Sequence, residues 1–280
     1  MSDNKNIKIL FFGDLVGKIA RKAVAEYLQQ RRNQNDYPDF VIANVENASH
    51  GFGLTEKNYN ELSEAGIDCF TSGNHIWDKK DIFNYIEKAD KLIRPINYPA
   101  NTPGQGSRVF EKNGCKIAVI NALGRVFMPP IDSPLEILKA EVERLKEITP
   151  YIVIDFHAEA TAEKVCIARY LSELGVSAFF GTHTHIQTAD EKIINNMAYI
   201  TDTGFCGASD SVIGMEYSTS LRRMTTLLPE RYEVASNPPC IINAVEVSVI
   251  DGAATDIKRI NVNIDMNDKE LEVSVETNSV

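Results

Sequence analysis

"IKILFFGD", residues 7–14, is a short apolar run that ends in Gly13 and then offers Asp14. It reads as a buried strand with a carboxylate just past its end. The segment after it, "KIARKAVAEYLQQRR" (18–32), spaces its apolar residues for a helix. The pattern then repeats. "DFVIANVE" (39–46) is a second buried strand, and "TEKNYNELSEAG" (55–66) a helix with Thr55 as N-cap and Gly66 at its close. "IDCFTSG" (67–73) is a third strand and "KKDIFNYIEKA" (79–89) a third helix. Alternation of this kind predicts a layered α/β fold with parallel strands.

The rhythm changes after a loop at 97–106. Residues 107–123 read as two strands around Asn113-Gly114, a strong hairpin signal. A helix is expected over 134–148, a strand over 151–157, a helix over 161–175 and a strand over 176–183. Two short strands flank Asn195-Asn196, a helix lies around 216–228, and residues 242–251 and 255–265 form a last hairpin. The expected architecture is two packed mixed β-sheets with helices outside, a single domain spanning 1–265. Residues 266–280 are expected to form a disordered tail.

Composition narrows the function. The chain has 280 residues, 44% of them apolar, enough for a substantial core. Its formal charge is −10, which argues against stable nucleic-acid binding, since that normally needs a basic stripe. A small anionic substrate drawn to a local positive centre remains compatible with it. No basic region precedes the first apolar run, so no secretory signal is expected. No apolar stretch approaches the roughly 18 residues that cross a bilayer, so no membrane partner is expected. The five cysteines are scattered with no CxxC pair and read as reduced thiols in a cytoplasm. The oligomeric state is left open, a homo-oligomer included.

The polar residues just past the expected strand ends form a set: Asp14, then Glu46 and Asn47, then Asn74 and His75, then His157, then His183 and His185. In open α/β sheets, ligands bind outside the carboxyl ends of the strands. Four of the five histidines fall in this set. Imidazole, carboxylate and amide oxygen together suit divalent Zn, Mn, Fe or Co. In "GTHTH" (181–185) the two histidines alternate across Thr184 as the strand becomes a loop. The rings could splay so that two ions about 3.5–4 Å apart each receive one imidazole, or both could chelate a single ion.

"GDLVG" (13–17), "VENASHG" (45–51), "GNHIWD" (73–78), "DFHAEAT" (155–161) and "GTHTHIQTAD" (181–190) resemble the calcineurin-like metallophosphoesterases, and within them the YmdB-like bacterial branch. That resemblance implies a four-layer α/β/β/α fold and two divalent ions per chain, drawn from Fe, Mn, Mg or Zn. Where the superfamily motif Asp-x-His has its histidine, this chain has Val16, and where the bridging aspartate is usual it has Glu46, followed by Asn47. The resemblance implies that Asp14, Glu46, Asn47 and His185 hold the first ion. Glu46 bridges, and Asn74, His157 and His183 complete the second.

The same resemblance makes His75 the general acid that protonates the leaving oxygen while a metal-activated hydroxide attacks phosphorus. An imidazole, with an ordinary pKa of about 6.5, suits that task. His50, in a Gly-rich loop, and Arg125 are candidate substrate contacts, each equally readable as structural or surface residues. Glu159, Trp77 and Asp78 are candidates for supporting the site, with a solvated role as the default. The implied function is a phosphodiesterase acting on small phosphate esters such as 2′,3′-cyclic nucleotides. A phosphomonoesterase or nucleotidase, and a regulatory protein with a structural metal site, are the alternatives.

Overall fold

The structure is a computed structural model that describes residues 6–265, so the tail expected over 266–280 lies outside the described residues. β1 (Asn6–Leu15) is buried along nearly its whole length. α1 (Gly17–Asn33), β2 (Phe40–Asn44), α2 (Glu56–Ala65) and β3 (Cys69–Thr71) follow, and β1, β2 and β3 pair in parallel. The Thr55 hydroxyl caps α2 by accepting from the Asn58 N–H, and Gly66 closes the helix at φ 107°.

The helix expected over 79–89 is reduced to one turn, α3 (Ile82–Tyr85). The N–H groups of Ile82, Phe83 and Asn84 donate to carbonyls three residues back, a tighter winding than the α-helix. Burial of Ile82, Tyr85, Ile86 and Ala89 in the core fixes that path, so packing overrides the local periodicity.

The second sheet holds β4 (Ser107–Lys112), β5 (Cys115–Leu123), β6 (Ile152–His157), β7 (Ala178–Thr182), β8 (Lys192–Ile194) and β9 (Met197–Ile200), in the order β4-β5-β6-β7-β9-β8. α4 (Pro134–Lys146) and α5 (Thr161–Ser172) connect its parallel inner strands. Both edges are hairpins. Their turns, Asn113-Gly114 at φ 52° and 70° and Asn195-Asn196 at φ 48° and 67°, have the paired positive φ that matches strand twist.

The chain then returns to the first sheet through β10 (Phe205–Ala208), α6 (Tyr217–Thr226), β11 (Cys240–Ile250) and β12 (Ala253–Ile264). The order there is β12-β11-β10-β1-β2-β3, with β11 also antiparallel to β1. β10 is absent from the sequence reading. Its four residues, "FCGA", include a glycine and give no strand pattern.

β1 sets the layers through its alternation. Ile7, Ile9 and Phe11 face the second sheet, with Val119, Val153 and Phe180 in one cluster, and the Phe11 and Phe180 rings lie 4.8 Å apart. Leu10 and Phe12 face the other way, under Val24 and Leu28 of α1 and Leu62 of α2. Ile120, Ile154 and Phe179 of the second sheet pack in turn under Leu138, Val142 and Leu171 of α4 and α5. The result is two mixed sheets flanked by helices, as the sequence led us to expect. No helix among the described residues is long and apolar enough to cross a membrane.

Candidate metal centre

The carboxyl ends of five parallel strands, from both sheets, converge on one cleft. Asp14 ends β1 and His157 ends β6; Glu46 and Asn47 follow β2, Asn74 and His75 follow β3, and His183 and His185 follow β7. Glu46 sits at the middle. Its Oε1 lies 3.0 Å from His157 Nε2 and 3.3 Å from Asn47 Nδ2, and its Oε2 accepts from the His75 N–H at 2.8 Å. Gly73 makes this possible, because a Cβ there would collide with the Glu46 carboxylate and the His157 ring.

His183 and His185 both leave the strand at positive φ, 108° and 63°. Their rings go to different neighbours. His183 Nδ1 lies 3.0 Å from His157 Nε2, whereas His185 Nε2 lies 3.2 Å from Asn47 Nδ2. Glu46 therefore touches a His157–His183 group through one contact and an Asn47–His185 group through another. The ligand atoms of Glu46, His157 and His183 all lie within 4.8 Å of one another.

The far sides of these rings are held by the protein. His185 Nδ1 lies 2.8 Å from the Ile213 carbonyl, so it donates and leaves Nε2 for the cleft. His157 Nδ1 lies 2.9 Å from the Thr182 hydroxyl, which donates to Asp155 at 2.7 Å. Asn44 Nδ2 donates to the other Asp155 oxygen at 3.0 Å. Holding the outer nitrogen in this way fixes a ligand's tautomer and aim.

The electrostatics call for a cation. The buried oxygens Asp14 Oδ1 and Asn74 Oδ1 have no hydrogen-bond partner among the described residues. Burial drives the Asp14 carboxyl well above the usual range, with His157 opposing. Burial alone would push the His157 imidazole down, but Glu46, Asp14 and Asp155 outweigh it and hold it at about 9. Burial also pushes Glu46 up, and His157 with His75 outweighs that and brings it to about 2. Burial and the neighbouring His157 push His183 down to about 3. Protons thus stand where charge is needed, and orphaned buried oxygens beside inward-facing imidazoles fit divalent ions that would replace them.

His75 lines the same cleft, and its Nδ1 lies 2.8 Å from Asp78 Oδ2. Asp78 therefore orients this ring. Trp77 instead stacks on Phe83 at 5.6 Å, away from the ligand cluster. Glu159 lies 3.2 Å from His183 Nε2 and lines the cleft. His50 is exposed and lines shallower pockets with Lys18 and Arg231, not the cleft of the other histidines. Arg125 is exposed, and its main-chain N–H donates to Glu163 at 2.9 Å; it is not in the cleft lining.

Sequence reading missed Asp202. Its Oδ2 accepts from Thr184 N–H at 3.0 Å, Thr184 Oγ1 at 2.8 Å and the buried Lys164 Nζ at 2.7 Å, and its Oδ1 accepts from Gly204 N–H at 2.8 Å. It thereby anchors the residue between the two histidines. The signal was present: Asp202 lies just past β9, where the strand-end rule would have found it.

Known proteins are similar to this chain over nearly all of its length. A family model described as YmdB-like protein matches residues 10–260. A 2′,3′-cyclic-nucleotide 2′-phosphodiesterase of Bacillus subtilis (strain 168) is 45% identical over 264 residues, 92% of this chain and 98% of the relative. A crystal structure described as a novel phosphatase from Mycoplasma pneumoniae superposes with a TM-score of 0.86 at 34% identity, covering 96% of this chain and 98% of that one. A 5′-nucleotidase precursor from Thermus thermophilus shares the fold at TM-score 0.55 and 11% identity, over 93% of this chain and 55% of its own.

Proposed function

The chain belongs to the YmdB-like family, and on that premise we propose that it is a metal-dependent phosphodiesterase that opens 2′,3′-cyclic nucleotides. The observation that carries the reading is Glu46 touching two separate ligand groups beside orphaned buried oxygens. In this reading residues 1–265 act as one domain that holds two divalent ions. Asp14, Glu46, Asn47 and His185 hold one; Glu46, Asn74, His157 and His183 hold the other. The scattered free cysteines support a reducing, cytoplasmic setting.

When bound, the ions would supply positive charge to the phosphoryl oxygens and a water of lowered pKa. The cleft's own residues make that supply necessary, because its lining holds Glu46 and Glu159 and, among the described residues, no lysine or arginine. An anionic ester finds no lysine or arginine in that lining. Hydrolysis adds water across one P–O ester bond, and the departing ribose oxygen must gain a proton. His75 provides it. Asp78 holds Nδ1, which leaves Nε2 for the cleft. The ligand loops fix the reacting groups in advance: Gly73 lets the His75 backbone reach Glu46, and Asp202 pins Thr184 between the two histidines.

The test is turnover of 2′,3′-cyclic AMP, bis(p-nitrophenyl) phosphate and p-nitrophenyl phosphate, with and without EDTA and added Mn²⁺. Hydrolysis of both diesters, abolished by EDTA and restored by Mn²⁺, is the expected result. Monoester cleavage far faster than either diester would move the assignment to a phosphomonoesterase. Activity indifferent to chelation would remove the metal from it.

A further inference from the structure

The cleft is larger than a phosphate needs. Its volume is about 420 Å³, in the range of sites that enclose a small organic molecule. Beyond the ligand cluster its lining is apolar: Phe52, Val212, Ile213, Met215, Met224 and Tyr232. Phe52, Met215 and Tyr232 pack with Val16 and Phe205 in one cluster. That cluster begins at the metal ligands, since Phe205 stacks on the His185 ring at 5.6 Å and 15°. It also touches the proton donor: the Phe52 and His75 rings lie 4.9 Å apart. Outward the cleft lining reaches Met224 of α6, which is 68% exposed. Cleaving a phosphoryl bond requires none of these side chains.

We propose that this wall is a nucleobase subsite, which rests on the phosphodiester reading above. A substrate whose phosphate sits at the ligand cluster carries its base a few ångströms further out, one ribose away, where the wall lies. Aromatic faces and thioethers accept any flat π-system. The polar atoms on the wall are few, the Tyr232 phenol and the Ser220 hydroxyl, and the latter is buried. The wall therefore reads the area of the base and not its hydrogen-bonding edge. Purine substrates are preferred over pyrimidines, and adenine and guanine are treated nearly alike.

The experiment compares kcat/KM for 2′,3′-cyclic AMP, GMP and CMP with that for methyl riboside 2′,3′-cyclic phosphate, which has no base. The purine substrates should exceed the base-free one by about 5- to 150-fold, the range expected from base–aromatic stacking. Tyr232→Ala and Met215→Ala should lower that ratio toward one, chiefly through KM. Met224→Glu, which disturbs only an exposed helical position, should lower it too. A second arm needs no turnover: adenosine should bind the metal-free protein in saturation-transfer NMR, ribose should not, and Tyr232→Ala should weaken the adenosine signal. Equal kcat/KM with and without a base, or no adenosine binding, would overturn the subsite. If no cyclic diester is cleaved, the phosphodiesterase reading fails and the adenosine arm still decides the subsite.

Discussion

Metal binding at this centre must displace protons, and the structure sets how many. In the metal-free protein His157 is held at about 9 by Glu46, Asp14 and Asp155, and burial keeps Asp14 protonated well above its usual range. Only the neutral imidazole can ligate. At pH 9 about half of His157 is neutral and at pH 7 about 1% is, so apparent affinity falls about 50-fold between pH 9 and pH 7. Asp14 adds to the proton count in the same direction. The stability of the metal-free fold runs the other way. His157 is raised from 6.5, so its contribution is complete below that value and is lost as pH rises through about 9. Glu46 is lowered from 4.5, so its contribution is present above that value and is lost as pH falls through about 2. Calorimetric titration of EDTA-stripped protein with Mn²⁺ in two buffers of different ionisation enthalpy counts the protons. At least one proton should leave per chain at pH 7, and affinity should climb toward pH 9. Affinity flat from pH 7 to 9 with no proton released would refute the proposed role of His157 as a ligand.

Other outcomes follow from the same geometry. Glu46→Gln should weaken both ions together in metal analysis, whereas His183→Ala and His185→Ala should each weaken mainly one. His75→Ala should keep its metals but lose roughly 10²- to 10⁴-fold on 2′,3′-cyclic AMP, and much less on bis(p-nitrophenyl) phosphate, whose leaving group needs no proton. Lys164→Met leaves Asp202 buried without its cation partner and should cost about 3–5 kcal/mol in urea unfolding.

The strand ends were legible because a buried parallel strand is nearly all apolar, so the first polar residue after it stands out. That rule singled out Asp14, Glu46, Asn74, His157 and His183 from the sequence alone, and the structure puts each of them at or just past the carboxyl end of a parallel strand. It failed where the strand itself carries no signal. β10 is four residues long, and Phe205 in it supplies the ring beneath His185. The apolar wall was not legible either. Its residues come from the loop after Asn47, from the segment before α6, from α6 and from the segment after it, and no periodicity in any one of them marks a shared surface. His50 and Arg125 are residue types suited to phosphate, and the fold places them outside the lining of this cleft.

Val16 joins the two halves of the site. In the motif it resembles, this position carries a ligating imidazole. Here Val16 is fully buried and packs with Phe205 and Met215, the core of the apolar wall. Gly214 lies so close that a Cβ on it would stand 2.7 Å from a Val16 methyl, and Gly17, at φ 72°, turns the chain so that its N–H donates to the Asn47 carbonyl at 3.0 Å. The turn that places a valine in the wall thus also braces the loop that brings the Asn47 amide beside Glu46 and His185. A histidine at 16 would put a polar ring into the packed cluster that carries His185 on one side and Met215 on the other. Val16 and Gly17 thus tie the apolar wall to the loop that carries Asn47, the residue proposed above as a ligand of the first ion.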